Sequence, residues 1–223
     1  MPLDSAQTHY LGTVLRQKSG SRVLVFNGHD GEWSATFVLH KRTAALDVGA
    51  RTREQIPPAD VHYVFAPLKA ARLDYMVQKA VEMGVSRLQP VLTRHSQVAR
   101  VNTQRMRANA IEAVEQCGIL SLPDIEAPVT LARLLAERDA GRLLVFCDED
   151  SEVGNPAAAL SGLPRTPVAV LVGPEGGFAD DERAALLKLP NVVRLSLGPR
   201  ILRADTAAVA ALTLVQTFIG DWR

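Results

Sequence analysis

Two segments in the last third of the chain constrain its fold most. Leu171-Val172-Gly173-Pro174-Glu175-Gly176-Gly177-Phe178 is the first. The second is Leu195-Ser196-Leu197-Gly198-Pro199-Arg200-Ile201-Leu202-Arg203-Ala204-Asp205-Thr206. Each begins as an apolar run, breaks at Gly-Pro and leads into a helical pattern. A continuous apolar run suits a strand buried on both faces of a parallel sheet. Glycine lets the backbone approach a ligand closely, and proline stiffens the turn that follows. Two such turns near each other predict one pocket at the carboxyl edge of an open α/β sheet, where ligands of such sheets usually sit. Neither turn has the glycine order of a phosphate-cradling loop or of a dinucleotide fingerprint. A tight connection alone accounts for one Gly-Pro-x-Gly-Gly. The polar cluster after the second turn, Arg200, Arg203, Asp205 and Thr206, favours a site. Taken singly, Asp205 and Thr206 read as helix N-caps and Arg203 as a surface ion pair.

The rest of the chain divides at a change of rhythm. Arg22 to Phe26 reads as a strand, Asn27-Gly28-His29-Asp30-Gly31 as a turn, and Glu32 to Leu39 as a returning strand with alternating apolar positions. Tyr10 to Arg16 is strand or short helix. Pro57-Pro58 marks a linker, because paired prolines continue neither regular element. Beyond it strands alternate with helices. The strands are Val61–Ala66, Arg87–Leu92, Leu143–Cys147, Pro167–Val172 and Val192–Leu197. The helices are Arg72–Met83, Thr103–Cys117, Leu131–Glu137, Asp180–Leu187 and Thr206–Ile219. That alternation predicts a parallel sheet covered on both faces. Pro90 places Arg87–Leu92 at an edge or a strand end.

Formal net charge is +1, so overall charge points to no particular partner. Between Lys69 and Arg107, however, eight Lys and Arg face only Asp74 and Glu82. Such a stretch is either a phosphate-facing surface or a set of solvated helix faces. Cys117 and Cys147 lack metal-ligand spacing and read as buried free thiols of a reducing compartment. No signal segment or membrane span is evident, so the expected location is the cytoplasm.

The two glycine segments resemble the S-adenosylmethionine site of the SPOUT methyltransferases. More narrowly, they resemble the RsmE family, which methylates N3 of a uridine in 16S ribosomal RNA. Met76-Val77-Gln78-Lys79-Ala80-Val81-Glu82-Met83-Gly84 is similar to that family's Gln-Lys-x-x-Glu-Leu-Gly helix. Glu112-Ala113-Val114-Glu115-Gln116-Cys117-Gly118 is similar to its Glu-Gln-Cys/Ser-Gly segment. The β-rich start resembles its PUA-like β-barrel. The resemblance implies an α/β fold in which a PUA-like RNA-binding domain, residues 1–68, precedes a SPOUT domain, residues 69–223, with a parallel sheet and a deep trefoil knot. It also implies a homodimer acting on 16S rRNA or the small ribosomal subunit. The cofactor implied is S-adenosyl-L-methionine, with no metal and no membrane. A SPOUT enzyme acting on another RNA, or a non-catalytic RNA-binding homologue, remains open at this point.

By motif position, the resemblance assigns donor binding, mostly through backbone groups, to Leu171, Val172, Gly173, Pro174, Glu175, Gly176, Leu197, Gly198, Ile201, Leu202, Thr206 and Ala207. Arg203 and Asp205 become the catalytic pair, Arg203 as stabiliser of a uridine anion and Asp205 as base or orienter. Lys69, Arg72, Arg94, His95 and Arg200 become the RNA-facing set. Departures fall mainly on the RNA side. Arg94-His95-Ser96 stands where the family usually has Glu-Arg-Ser/Cys. Ile119 stands in place of an arginine, and Asp205 in place of a glutamate. His95 as general base is possible, although a lone histidine is more often structural.

Overall fold

The computed structural model describes residues 1–41, 43–149, 154–165 and 167–222. The chain forms two compact units, Met1–Pro57 and Pro58–Arg223. The division therefore falls at the paired prolines rather than at residue 68. The reason is that Val61–Phe65, expected inside the first domain, pairs as an inner strand of the second unit's sheet.

In the first unit, α1 (Ser5–His9) runs into a π-helical turn, Tyr10–Val14, which resolves the strand-or-helix ambiguity there. Asp4 caps α1 by accepting from the Gln7 N–H at 2.7 Å, and the Gln7 side chain accepts from the Asp4 N–H in return. An antiparallel sheet follows in the order β1 (Arg22–Phe26), β2 (Glu32–His40), β3 (Thr43–Arg53). One face buries Ala35, Phe37, Ala44 and Leu46, against which Leu3, Leu11, Val23 and Val25 pack. Among the described residues the sheet stays open, and Leu3 and Leu11 cover its apolar face in place of further strands.

The second unit opens with β4 (Val61–Phe65), α2 (Ala70–Glu82), β5 (Arg87–Leu92) and α3 (Thr103–Cys117). Two short strands follow, β6 (Asp124–Ile125) and β7 (Val129–Thr130), then α4 (Leu131–Glu137) and β8 (Leu143–Cys147). The chain ends with α5 (Pro156–Leu160), β9 (Val168–Val172), α6 (Asp180–Leu187), β10 (Val192–Leu195) and α7 (Ala204–Phe218). The strand order is β10-β8-β9-β4-β5-β6, with β7 also on β5, and every pairing is parallel. One face packs Val64, Val91, Leu144, Phe146 and Leu171 against Leu131 and Leu186 from the helices. Tyr63 and Phe65, pointing the other way, stack with ring centroids 4.9 Å apart.

Pro90 does not mark an edge, because β5 has partners on both sides. Its missing N–H falls where the outer partner is interrupted: β6 pairs up to Leu88 and β7 resumes at Val91. The Gln89 side chain fills that gap by donating to the Ala127 carbonyl at 2.9 Å. Cys117, expected to be buried, is exposed at the end of α3, and Cys147 is half-buried. Burial pushes the Cys147 thiol up to about 12, so it stays protonated at neutral pH. No helix among the described residues is long and apolar enough to cross a membrane.

Two polar side chains in this unit, one buried and one half-buried, give testable consequences. Gln216 on α7 is fully buried. Its amide donates to the Met83 carbonyl at 2.6 Å, and its carbonyl accepts from the Asp221 N–H at 3.1 Å. It ties α7 to the end of α2. Gln216→Leu keeps the volume but strands these partners, and is expected to cost about 1–3 kcal/mol in urea unfolding.

His62 on β4 faces Asp60, with Nε2 3.1 Å from Oδ1, while Arg142 binds the same carboxylate at 2.8 Å. Burial first, and then Arg142 and Arg87, push the His62 imidazole from 6.5 down to about 4. The folded state therefore holds His62 neutral while the unfolded chain takes up a proton below about 6.5. Stability is complete above that value and declines as pH falls towards 4. Between pH 7 and pH 5 the expected loss is about 1–2 kcal/mol, and His62→Gln should flatten it in urea titrations at the two pH values.

Candidate functional site

Three neighbouring parallel strands end together at the carboxyl edge of the sheet. Leu195 of β10 is in register with Cys147 of β8, and Cys147 with Val172 of β9. The segments leaving these strands wall a cavity of about 630 Å³. Small-molecule sites usually span roughly 300–1,000 Å³. The first wall runs from Gly173 to Phe178, and the second from Ser196 to Leu202 with Ala204 and Ala207 of α7. The third comprises Asp148, Glu149 and Gly154, from the segment after β8.

The glycines have definite causes. A Cβ at Gly173 would stand 2.5 Å from the Phe178 ring, so the first wall closes only without a side chain there. Gly198 has φ +96°, which favours glycine for backbone reasons alone.

The third wall escaped sequence reasoning. The Asp148 side chain is only 3 % exposed. It accepts from Arg183 Nη2 of α6 at 3.0 Å and from Arg194 Nε of β10 at 2.8 Å. A buried carboxylate thus holds α6 and β10 around the end of β8. The available signal was an acidic residue directly after the apolar run Leu143–Cys147, at the edge where the pocket was expected.

Of the expected donor-binding residues, Val172, Gly173, Pro174, Glu175, Gly176, Leu197, Gly198, Ile201, Leu202 and Ala207 line the cavity. Two do not. The Leu171 side chain packs in the hydrophobic core with Phe146 and Leu186, because strand alternation turns it away from the edge, while its backbone stays beside the cavity-lining Val172 at the end of β9. Thr206 is exposed on the first turn of α7, and its N–H donates to Asp205 Oδ1 at 2.9 Å. Ile201 is 88 % exposed at the cavity, an apolar side chain with little cover.

Arg203 occupies the N-cap position of α7 with extended backbone, between the cavity-lining Leu202 and Ala204. Its side chain is exposed and has no carboxylate partner among the described residues. Asp205 is differently placed. Arg72 donates to it twice, Nε to Oδ2 and Nη2 to Oδ1, each at 3.0 Å. The Arg72 guanidinium holds the Asp205 carboxyl below the usual aspartate range. A carboxylate so satisfied is a weaker proton acceptor, and orienting is the role that its geometry fits.

Of the expected RNA-facing residues, Arg72, Arg94 and His95 are engaged by other groups of the protein. Arg72 also pairs with Glu175. Arg94 pairs with Asp181 at 2.5 Å, and its N–H donates to Glu182 Oε1 at 2.9 Å, so it is pinned to the acidic start of α6. His95 Nδ1 lies 3.1 Å from the Gly176 carbonyl and 3.2 Å from that of Gly177. Both partners are acceptors, which assigns the proton to Nδ1 and makes His95 a brace for the glycine loop. Lys69 is exposed beside a smaller cavity of about 140 Å³ that also involves Arg72, Gln97 and Glu175. Arg200 lines the main cavity, exposed and without a carboxylate partner among the described residues.

The basic stretch resolves in the same way. Lys79, Arg87 and Arg105 are held by Glu82, Asp124 and Asp74. Lys69, Arg100 and Arg107 have no carboxylate partner among the described residues. No group of three or more possible metal ligands occurs among the described residues.

Residues 55–216 match the RNA methyltransferase domain family, and residues 3–46 match the PUA domain of RNA methyltransferases. The chain belongs to this RNA methyltransferase family. A Rickettsia conorii relative named ribosomal RNA small subunit methyltransferase E is 31 % identical, over 93 % of this chain and 85 % of its own length. A Synechocystis relative of the same name is 30 % identical, over 97 % of this chain and 73 % of its own. A Legionella pneumophila protein solved in complex with the bound cofactor SAM is 27 % identical. It superposes with a TM-score of 0.85, over all of this chain and 93 % of that one.

Proposed function

We propose that the protein transfers a methyl group from S-adenosylmethionine to N3 of a uridine in 16S ribosomal RNA. The observation that carries this reading is the cavity of about 630 Å³ enclosed by both glycine segments at the ends of β8, β9 and β10. The residues fit the donor. Val172, Leu195, Leu197, Ile201 and Leu202 offer apolar surface for a purine and thioether. The glycine turns bring backbone amides and carbonyls within reach of polar edges. The relatives' names and the Legionella complex support the substrate and the cofactor respectively.

When bound, the cofactor supplies an electrophilic methyl on a sulfonium. The two glycine walls bind and orient it, which turns an encounter into a positioned reaction. The N3 position lies on the pairing edge of uracil, so the base must leave its pair or stack to enter. Once N3 has given its proton to solvent, Arg203, beside the mouth, stabilises the negative charge on the uracil; N3 then takes the methyl as the carbon–sulfur bond breaks, the bonding pair staying on sulfur as a neutral thioether. Asp205, saturated by Arg72, orients the start of α7. Arg200 and Lys69, exposed and without carboxylate partners among the described residues, meet RNA phosphate. The family resemblance supports three further elements of this reading: a knotted pair of glycine segments, a homodimer that completes the site, and a cytoplasmic setting with the ribosome.

Calorimetry with S-adenosylmethionine, followed by transfer of labelled methyl to small-subunit particles, large-subunit particles and free 16S RNA, tests this reading. Binding of the donor and labelling confined to small-subunit RNA are expected. Donor binding with no transfer to any of the three substrates would defeat it.

A further inference from the structure

Arg72 was expected to face RNA, yet the structure gives it internal partners on both glycine segments. It projects from the first turn of α2, a helix fixed in the core by Leu73, Met76 and Val77. Its Nη1 reaches Glu175 Oε1 in the first segment. Its Nε and Nη2 grip the Asp205 carboxylate, at the end of the second segment, with both contacts at 3.0 Å. Asp205 is only 17 % exposed in its side chain and Arg72 30 %, so this contact is partly shielded from water. A planar guanidinium engaging one carboxylate by two parallel bonds fixes direction as well as distance.

We propose that Arg72 is a positioning residue that locks the two walls of the donor cavity in register, and not a contact for RNA phosphate. The inference rests on the function proposed above. Pro174 and Glu175 line the main cavity, while Asp205 lies in the first turn of α7 between the cavity-lining Ala204 and Ala207. One cation from a rigid helix therefore sets the spacing of both segments. Three of its donor N–H groups are committed, which leaves it poorly placed for a phosphate. Lysine carries the charge but not the fork, so it cannot make the same tie.

The test combines donor calorimetry with transfer kinetics on small-subunit particles, for the wild type, Arg72→Ala, Arg72→Lys, Asp205→Asn and the Arg72→Ala/Asp205→Asn double variant. Arg72→Ala is expected to weaken donor binding by about tenfold or more, with Arg72→Lys failing to restore it and the KM for RNA within about twofold of wild type. The double variant should be little worse than the worse single one, because both changes break one tie. Donor affinity unchanged in Arg72→Ala, with a raised KM for RNA that Arg72→Lys restores, overturns the inference. Should Arg72→Ala fail to fold, Asp205→Asn breaks the same tie from the other side and must weaken donor binding alone. A wild-type protein that does not bind the donor defeats the proposed function instead, an outcome distinct from any pattern among the variants.

Discussion

Arg203→Ala is expected to reduce methyl transfer by about 100–1,000-fold while leaving donor affinity and folding stability near wild type. The Arg203 side chain is in solvent, has no carboxylate partner among the described residues, and stands within the second glycine segment at the N-cap of α7. Removing an exposed, unpaired side chain changes stability by no more than about 0.5 kcal/mol. Its charge has a use only when negative charge appears near the cavity mouth, as it does on a uracil that has given up its N3 proton. An interaction made chiefly in the transition state shows in kcat and not in donor binding. Single-turnover transfer and calorimetry on the same preparation separate the two. A variant with weakened donor binding and an unchanged chemical step would move Arg203 from catalysis to the donor site.

Gly173→Ala is expected to abolish measurable donor binding and to destabilise the fold by about 1–3 kcal/mol. An added Cβ would lie 2.5 Å from Phe178 Cε2 and 3.0 Å from Cδ2 and Cζ. The ring has little room to retreat, because it packs edge-on against Phe146 with centroids 5.2 Å apart. Relief must come from the segment itself, which shifts the first wall away from the second. Gly176→Ala provides the contrast. Its Cβ would meet the His95 side chain, Cβ at 3.5 Å and Cγ at 3.9 Å, both ordinary contacts, so the stability change should stay within about 0.5 kcal/mol. Thermal melts compare the two substitutions, and calorimetry reads the donor site of Gly173→Ala.

Legibility in the sequence followed the range of the forces involved. The parallel sheet was readable because β8 and β9 are apolar without interruption, and the end of α3 because Gly118, at φ 62°, closes it. The strand Thr43–Arg53 was missed because only its first half alternates, at Ala44 and Leu46, while the rest is exposed. Alanine, moreover, carries little strand preference. Ten of the twelve expected donor residues line the cavity. Leu171 and Thr206 lie outside that lining, because a motif gives order along the chain but not which way each side chain points. The third wall and the engagement of Arg72 were hidden for another reason. Asp148 with Arg194, and Arg72 with Asp205, are pairs between residues 46 and 133 positions apart, and nothing local in either sequence neighbourhood records the partner. For the same cause, a basic stretch that looked free for phosphate proved to be largely matched by carboxylates.

The most direct measurement is nucleotide-level mapping of the product. Small-subunit particles lacking the modification would be incubated with the protein and S-adenosylmethionine, and their 16S RNA digested and read by mass spectrometry. The account predicts one added methyl, on the base of a single uridine, at N3 and therefore blocking reverse transcription at that position. A methyl found on a ribose, on another base, or spread over many uridines would contradict it.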